Sequence, residues 1–377
     1  MNILILCDKF LPVSEQFIYN QVRSLQNHRL FLFCRRGVTR KLYPVDFEKE
    51  FIWYDHLKLR LLFKLKRNKK VYPDAVQKEL KAFIRDNKIG LVYIHYGTTA
   101  TTYAKALQQL KVPYICAFHG FDASRKLTDP SYKNSLLSLA DEALYFTAPS
   151  QYLGNKLIDI GISEKILRTI PYGADLDKIE AIETLPAENN DKIRLIHAGR
   201  LVPKKGVPDL VRVFADLSRS YLNIELIIVG GGEEEEKVRR LIEDEGLNAS
   251  VRLTGPVPHE KLIGYLKSSD IFILNSRETE GGETEGLPNS IMEAMACKVA
   301  VVSTRHSGIP ELLTHRKDGF LVDPQNNGEL KAALTELINI ESLRKQIAIE
   351  GYDTVSKRFS FQQMKESIIS MVNEVDT

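Results

Sequence analysis

The sequence lacks the long apolar run that a membrane-spanning helix requires. Such a helix needs about 20 consecutive, mostly apolar residues, and the 377 residues contain no apolar run of 18. The first residues, MNILILCDKF, have no basic leader before their short apolar stretch, so they predict a buried strand and not a signal peptide. We therefore expect a cytoplasmic protein.

Cysteine is scarce, and its spacing fits neither a metal site nor a disulfide framework. We therefore expect reduced thiols, no structural zinc and no catalytic metal. The four cysteines are Cys7, Cys34, Cys116 and Cys297.

A dinucleotide-binding motif is also absent. The loop after the first predicted strand reads FLPVSE and contains no G-x-G-x-x-G, so a bound NAD(P) or FAD is not supported and we expect no cofactor. Ser14 can cap the helix that follows, which would leave the amides of the first helical turn facing a ligand.

Short apolar runs alternate with helical patterns along the whole chain. Continuous Val, Ile, Leu and Phe runs separated by helices predict parallel sheets that are covered on both faces. One hydrophobic core rarely extends beyond roughly 250–300 residues, and 185–190 (LPAENN) has the composition of a linker. The sequence therefore predicts two doubly wound α/β domains.

Two histidines fall where predicted strands of the first half end. In parallel sheets, ligands bind beyond the carboxyl ends of the strands. His95 and His119 both occupy such positions, and His119 is followed by a turn, Gly120–Asp122, that allows the backbone to approach a ligand. A structural role and a catalytic role both remain open for each histidine.

Positive charge is concentrated in the first half. Residues 1–180 contain 28 Lys and Arg against 18 Asp and Glu, a net charge of +10, whereas the remainder contains 24 against 31, a net charge of −7. Seven basic residues and five leucines lie in 57–72, with no acidic residue among them. A helix there would suit an anionic membrane surface. A solvated basic helix is the alternative; nucleic acid is disfavoured because only one aromatic residue, Phe63, lies among the charges.

The second half carries candidate phosphate ligands after its first strand. Arg200 and Lys205 follow IRLIHAG on a loop with Pro and Gly, where two cations can neutralise a diphosphate or serve as surface charges. The next strand ends in Gly230–Gly232, followed by four glutamates. These carboxylates would repel phosphate but suit the positive end of a helix. The glycines therefore predict close backbone packing or a nucleoside contact.

The stretch EGLPNSIME combines two carboxylates with a helix start. We place Pro288 in the first helical turn, where its missing N–H is not needed. The free amides of that turn make a site for phosphate. Glu285 lies ahead of the helix and Glu293 on it, so both can meet one ligand; a capping carboxylate and a solvated helix residue are the alternative.

Six motifs follow one another in the second half: HAGRLVPKKG, VGGG, LTGPVPHEKL, EGLPNSIMEAMA, VVSTRHSGIPELL and DGFLVDP. In order and spacing they resemble the motifs of glycosyltransferase family 4. The resemblance is strong over 165–325 and weaker before it, in HGFD, TAPSQYL and IPYGADLD. It implies retaining nucleotide-sugar transferases of GT-B architecture, in which two Rossmann-like domains face a cleft.

The resemblance implies a division of the chain. Residues 1–180 would bind the acceptor and 181–355 the nucleotide sugar, and a helix within 356–377 would return to the first domain. A Ser-Glu pair (Ser14, Glu15) replaces the Gly-Gly pair of many members, as in members that build bacterial surface polysaccharides on lipid-linked acceptors. These two residues and Asp122 are weak candidates for the acceptor side.

The resemblance also implies roles for the residues that match its motifs. Glu285 would lie at the donor sugar and Glu293 at the ribose hydroxyls. Arg200 and Lys205 would bind the diphosphate, and His119 would lie near the donor sugar and the reaction centre. The amides of Gly286 and Leu287 would face the diphosphate and the backbone of Val257 the base; Gly199 and Asn289 are further donor-binding candidates.

We therefore expect a glycosyltransferase that uses a UDP- or GDP-sugar and a glycan acceptor, attached to the inner face of the plasma membrane. Fixed cations and a helix terminus can stabilise the charge of the departing diphosphate, so no metal is required. In the retaining mechanism, the leaving phosphate can itself accept the proton of the acceptor, so no dedicated base need exist. The alternatives are a nucleotide-sugar epimerase or phosphorylase of the same architecture and a non-catalytic sugar-binding subunit. Presence of Arg200, Lys205, Glu285 and Glu293 together argues against the non-catalytic subunit.

Overall fold

The structure is a computed structural model, and it describes most of the chain. Ser14, Glu15, the linker residues 186–190 and nearly all of the basic stretch 57–72 lie outside the described residues. The described residues are 1–10, 16–37, 44–56, 58–59, 61, 74–185 and 191–375.

The chain forms two compact units. The first combines Met1–Pro171 with Met364–Thr377, and the second is Tyr172–Gln363. Sequence analysis placed the boundary at residue 180; the contacts place it at Pro171. Ala174 explains this position, because its N–H donates to the carbonyl of Phe359 in the second unit.

The first unit contains a seven-stranded parallel sheet in the order β3-β2-β1-β4-β5-β6-β7. Its central strands are continuous apolar runs, and Ile3 to Leu6 are fully buried, as a sheet covered on both faces requires. The strands are β1 (Asn2–Phe10), β2 (Arg29–Gly37), β3 (Lys49–Ile52), β4 (Leu91–His95), β5 (Tyr114–Ala117), β6 (Tyr145–Ala148) and β7 (Leu167–Thr169), and the helices are α1 (Gln16–Ser24), α2 (Asp74–Asp86), α3 (Gly97–Thr102), α4 (Ala104–Leu110), α5 (Pro130–Ala140) and α6 (Gln151–Asp159).

The second unit contains a six-stranded parallel sheet in the order β10-β9-β8-β11-β12-β13. The strands are β8 (Ile193–Ala198), β9 (Ile224–Val229), β10 (Val251–Gly255), β11 (Ile271–Leu274), β12 (Ala300–Thr304) and β13 (Phe320–Val322), and the helices are α7 (Leu176–Ala181), α8 (Val207–Ser218), α9 (Glu235–Asp244), α10 (His259–Lys267), α11 (Asn289–Ala296), α12 (Ile309–Leu312), α13 (Asn327–Asn339) and α14 (Glu341–Arg358). The last helix, α15 (Phe361–Asn373), begins in the second unit and belongs to the first from Met364 onward.

Each unit has its own hydrophobic core. In both sheets the strand order reverses beside the first strand of the unit, as in the Rossmann fold. The prediction of two doubly wound α/β domains is confirmed.

Tyr103 separates α3 from α4, because it leaves the helical conformation (φ −103°, ψ 10°). One detail of the secondary structure differs from the prediction. Pro288 precedes α11 instead of lying in its first turn, since its ψ of 111° is extended.

The glycine run after β9 packs backbone against backbone, as predicted. A Cβ at Gly230 would lie 1.9 Å from the carbonyl oxygen of Gly199, and one at Gly232 would lie 2.4 Å from that of Leu201. The loops after β8 and β9 therefore approach more closely than any side chain permits.

Helix α15 carries the chain back to the first unit. Its side chains Met364, Ile368, Met371 and Val372 are buried. Beyond the helix, the Glu374 carboxylate accepts a hydrogen bond from the Tyr145 hydroxyl and lies 4.0 Å from the Arg168 guanidinium. None of the helices described is both long and apolar enough to cross a bilayer.

Candidate functional site

The candidate donor site lies where the second sheet reverses its strand order. Strands β8 and β11 are neighbours, but the chain leaves them toward opposite edges of the sheet. Ligands of doubly wound sheets bind beyond the carboxyl ends of such a strand pair. Residues 199–206 follow β8 and residues 275–288 follow β11, so these two loops form the site.

The loop after β8 carries two buried lysines with different carboxylate partners. Lys204 and Lys205 form a short 3-10 turn with Pro203, and both side chains are buried, whereas Arg200 is exposed. A buried ammonium is costly unless a carboxylate accompanies it. Each of the two lysines has such a partner, and the partners are different.

Lys205 pairs with Glu285, one of the predicted contacts of the donor sugar. The Lys205 Nζ lies 2.9 Å from Glu285 Oε1, and the Ser276 hydroxyl donates to the same oxygen at 3.3 Å. Burial alone would raise the pKa of Glu285, but the charges of Lys205 and Lys204 lower its pKa to about 2. The buried pair is therefore ionic at neutral pH, and the structure brings together two residues that the sequence only suggested.

Lys204 pairs with Glu283, which the sequence analysis missed. Its Nζ lies 2.9 Å from Glu283 Oε1 and donates to the carbonyl of Thr284 at 3.3 Å. Lys204 thus fixes the loop that carries Glu285. Nothing in the sequence distinguishes the two adjacent lysines, since both follow the same strand and differ only in the direction of the side chain.

The segment between Glu285 and α11 is held by two residues that follow β12. The Ser307 hydroxyl donates to the carbonyl of Glu285 at 2.5 Å, and the N–H of Glu285 donates to His306 Nε2 at 3.4 Å. Gly286 is half-buried and Leu287 is buried, so a role of their amides at the diphosphate stays a prediction. Asn289 begins α11.

Glu293 lies farther along α11 and has a different partner. Its Oε1 lies 2.9 Å from Nε2 of His259, the first residue of α10. Val257 is two residues before His259, on the segment that joins β10 to α10. The predicted ribose contact therefore stands beside the segment that carries the predicted base contact. His259 was missed, although it is part of the LTGPVPHEKL motif.

Three buried polar atoms around the site have no hydrogen-bond partner among the described residues: Nε2 of His197, Oγ1 of Thr284 and Nδ1 of His259. The His197 Nδ1–H donates to the carbonyl of Ile273 at 3.0 Å, so Nε2 is an acceptor. Burial, followed by the charge of Lys205, lowers the pKa of His197 to about 4, which keeps the ring neutral. Gly199 is adjacent, because a Cβ there would be 3.5 Å from His197 Nε2. Unsatisfied buried groups of this kind fit a site that takes a polar ligand.

In the first unit, Asp122 organises the loop that bears His119. Its carboxylate accepts hydrogen bonds from the backbone N–H groups of Gly97, His119 and Gly120, at 2.9 to 3.1 Å. The side chain is fully buried and its oxygens are occupied by the backbone. This is a structural task, and contact between Asp122 and an acceptor stays a prediction.

His119 contacts the other predicted histidine of this edge. Its Nε2 lies 3.2 Å from Nδ1 of His95, and its ring packs against Phe17 and Tyr96. Burial lowers the pKa of both histidines, to about 3 for His95, so both rings are neutral. A neutral His119 can donate or accept a hydrogen bond but supplies no positive charge; its placement at the donor sugar stays a prediction.

The described part of the chain contains no group of three His, Cys, Asp or Glu side chains arranged to hold a metal ion. The expectation of a reaction without metal therefore stays a prediction for solution experiments.

Two family models match consecutive parts of the chain. "Glycosyltransferase Family 4" matches residues 14–178, and "Glycosyl transferases group 1" matches residues 178–354. The two matches meet near the start of α7 and together cover nearly all of both units.

Relatives with curated names are glycosyltransferases as well. The chain is 30% identical to the amylovoran biosynthesis glycosyltransferase AmsK of Erwinia amylovora, over 71% of this chain and 64% of that protein. It is 27% identical to the putative colanic acid biosynthesis glycosyltransferase WcaL of Salmonella typhimurium, over 74% of this chain and 70% of that protein. The alignment with AmsK thus spans slightly less than two thirds of its length.

Solved structures share the fold. Anabaena Alr3699/HepE in complex with UDP superposes with a TM-score of 0.81 at 19% identity, covering 99% of this chain and 100% of that one. Its complex with UDP-glucose gives a TM-score of 0.80. The family models therefore show that the chain consists of a glycosyltransferase family 4 domain followed by a glycosyl transferases group 1 domain.

Proposed function

We propose that this protein transfers a sugar, with retention of anomeric configuration, from a UDP- or GDP-sugar to a glycan acceptor. The observation that carries the proposal is the buried Lys205–Glu285 ion pair, which lies at the carboxyl edge of the second sheet just before α11. The AmsK and WcaL relatives support a role in the synthesis of a bacterial surface polysaccharide, and HepE, which binds UDP and UDP-glucose, supports a nucleotide-sugar donor.

The chemistry requires a site that stabilises a departing diphosphate. The bond between the sugar C1 and the phosphate oxygen breaks, and the acceptor oxygen forms a bond to C1 on the same face. Negative charge grows on the diphosphate, where Lys205 and Arg200 stabilise it. The leaving phosphate oxygen takes the proton of the acceptor, so no separate base is needed.

Glu285 has two tasks in this scheme. Without donor, its carboxylate keeps the buried Lys205 charged by pairing with it. With donor, it remains beside the sugar and accepts hydrogen bonds from sugar hydroxyls. Glu293 holds the ribose hydroxyls, the backbone at Val257 meets the base, and the amides of Gly286 and Leu287 face the diphosphate.

A panel of UDP- and GDP-sugars tests the donor. Incubation without acceptor should release UDP or GDP slowly from one member, because transfer to water replaces transfer to a glycan. Addition of an oligosaccharide acceptor should accelerate release and give a product whose anomeric configuration, read by NMR, equals that of the donor. Release of neither nucleotide, or an inverted product, would contradict the proposal.

Metal dependence is tested in the same assay. The proposed site stabilises the diphosphate with cations of the protein, so turnover should persist in EDTA. Loss of all activity in EDTA, restored by Mg²⁺, would show that a metal ion performs this task.

We further propose that the acceptor is lipid-linked and that the basic stretch 57–72 attaches the protein to the inner leaflet. Support comes from the charge of this stretch and of residues 1–180 as a whole. At about 1 kcal/mol per basic residue near an anionic surface, several such residues give reversible docking. Among the described residues of the stretch, Leu61 is half-exposed.

Liposome sedimentation tests the attachment. Binding to vesicles with anionic lipid should fall sharply in high salt, because attraction between exposed charges fades beyond about 10 Å at 0.1 M salt. It should also fall in a variant with Lys58, Lys64, Lys66, Arg67, Lys69 and Lys70 changed to Ser. Equal recovery with neutral and anionic vesicles would show that the stretch is only a solvated face.

A further inference from the structure

The contact between His259 and Glu293 joins two helices at the predicted ribose position. His259 Nε2 and Glu293 Oε1 are 2.9 Å apart, and the side chains are only 23% and 13% exposed. A carboxylate only accepts hydrogen bonds, so Nε2 carries the hydrogen. This bond uses one lone pair of Oε1 and leaves Oε2 for other donors.

The second ring nitrogen of His259, Nδ1, is the atom that can accept a proton. Nδ1 is buried and has no hydrogen-bond partner in the described structure. A proton can therefore be added to Nδ1 without breaking a hydrogen bond of the protein. The ring can change its charge while Nε2 continues to hold Glu293.

The charges around the ring favour this change. Burial lowers the pKa of His259, but the charge of Glu293 and its hydrogen bond outweigh burial, and the net effect raises the pKa. Cys297 on α11 adds no charge near neutral pH, because burial raises its pKa to about 12. The other charged groups are Lys178 on α7, which lowers the pKa of His259, Glu260 on α10, which raises it, and Lys267 on α10, which faces Cys297.

We propose that His259 is a positioning residue that holds the Glu293 carboxylate for the ribose hydroxyls, and that its protonation tightens the binding of the nucleotide sugar. The inference rests on the proposed function, because it assigns the donor to this site. It adds a pH-dependent control of donor affinity through one histidine that does not itself touch the sugar.

The charges of the pair decide the direction in which donor affinity changes with pH. With His259 neutral, Glu293 presents a net negative charge to an incoming diphosphate, which is itself negative. With His259 protonated, the pair is neutral and this repulsion disappears. The bound diphosphate in turn favours the protonated ring, so donor binding should draw in protons and weaken as pH rises through the pKa of His259.

Calorimetric titration of the full-length protein with UDP-glucose and with GDP-mannose tests the proposal. A nucleotide sugar is preferred to UDP because a terminal phosphate has its own pKa near 6. Affinity for the tighter-binding probe should fall about threefold to tenfold between pH 5.5 and 8.5, since one pKa unit corresponds to a factor of ten. Titrations in buffers of different ionisation enthalpy should show proton uptake on binding.

Three variants separate positioning from folding. His259→Gln keeps an N–H donor for Glu293 but does not titrate, so it should bind at all pH values with the affinity that wild type has at high pH, without proton uptake. His259→Ala leaves Glu293 without its donor and should raise KM for the donor more than it lowers kcat. His315→Gln, at a titratable ring of the same unit outside the site, should keep the wild-type pH profile.

The outcomes distinguish this inference from the proposed function. Wild-type affinity that is independent of pH, or a pH dependence that persists in His259→Gln, would overturn the inference and leave the donor site intact. Burial lowers the pKa of His197 and of His306, whereas the pKa of His259 is raised. Titration of these two rings is therefore separated from that of His259. Failure of both nucleotide sugars to bind would overturn the proposed function, and the inference with it.

Discussion

At the scale of single residues, the central result is that two adjacent lysines have different carboxylate partners. Lys205 holds Glu285 and Lys204 holds Glu283, both at 2.9 Å. The first pair includes the residue that faces the growing charge of the diphosphate in the proposed reaction. The second pair fixes the loop that carries Glu285. A cation that acts mainly in the transition state affects turnover more than binding.

We therefore predict different losses for the two lysine substitutions. Lys205→Ala should lower kcat by about 100-fold or more, the usual effect of removing one preorganised donor. Lys204→Ala should lower thermal stability with a smaller loss of kcat. Steady-state kinetics and thermal unfolding of the two variants check this.

A double variant separates charge stabilisation from stability. Lys205→Ala leaves Glu285 buried without a counterion, which destabilises the fold. Lys205→Ala combined with Glu285→Gln removes that penalty and should recover thermal stability without recovering kcat. Equal kcat values for Lys204→Ala and Lys205→Ala would show that the roles of the lysines are wrongly assigned.

At the scale of elements, the close backbone packing of the loop after β8 against the loop after β9 shapes the donor site. Gly230 has a φ of +133°, and its missing side chain lets it lie against the Gly199 carbonyl. The same approach holds Gly199 beside His197 Nε2 and the Lys205 side chain. A shift of one loop would therefore move a cation of the site.

Gly230→Ala should destabilise the second unit by about 3 kcal/mol or more, because backbone strain and a clash with a carbonyl act together. Gly246→Ala is the matched control, since Gly246 also has a positive φ of +67° but a Cβ there meets nothing within 4 Å. The control should cost only about 1 kcal/mol, the price of a left-handed conformation. Chemical denaturation measures both, and equal losses would contradict a role for the clash.

Much at this scale was predictable from the sequence, and the reasons are physical. Buried parallel strands such as β1 and β11 are short apolar runs, and the acidic start of α9 after Gly230–Gly232 marks a helix terminus that repels phosphate. The pairing of Lys204 with Glu283 and of His259 with Glu293 was not predictable. Such pairs depend on which way each side chain leaves its loop or helix, and spacing along the chain does not record this.

At the scale of the whole molecule, the two hydrophobic cores share no residue. We therefore predict two unfolding transitions in calorimetry. Val92→Ala should lower the transition of the first unit and Ile273→Ala that of the second, because each side chain is fully buried in its own sheet.

A nucleotide sugar should selectively raise the transition of the second unit. A ligand at 100 times its Kd stabilises the unit that binds it by about 2.7 kcal/mol. Selective stabilisation of the first unit would place the donor elsewhere, and a single transition in every variant would show that the cores do not unfold separately.

The path of the chain through the two units also sets the order in which they are completed. The first unit includes Met1–Pro171 and the segment from Met364 onward, and Tyr172–Gln363 is synthesised between them. At ribosomal rates of roughly 5 to 20 residues per second, that interval lasts on the order of 10 to 40 s. During this time the residues that later surround Met364, Ile368 and Met371 leave the ribosome without their covering helix. The first unit is therefore synthesised first but completes its fold last. Until then, its exposed apolar surface is a target for chaperones.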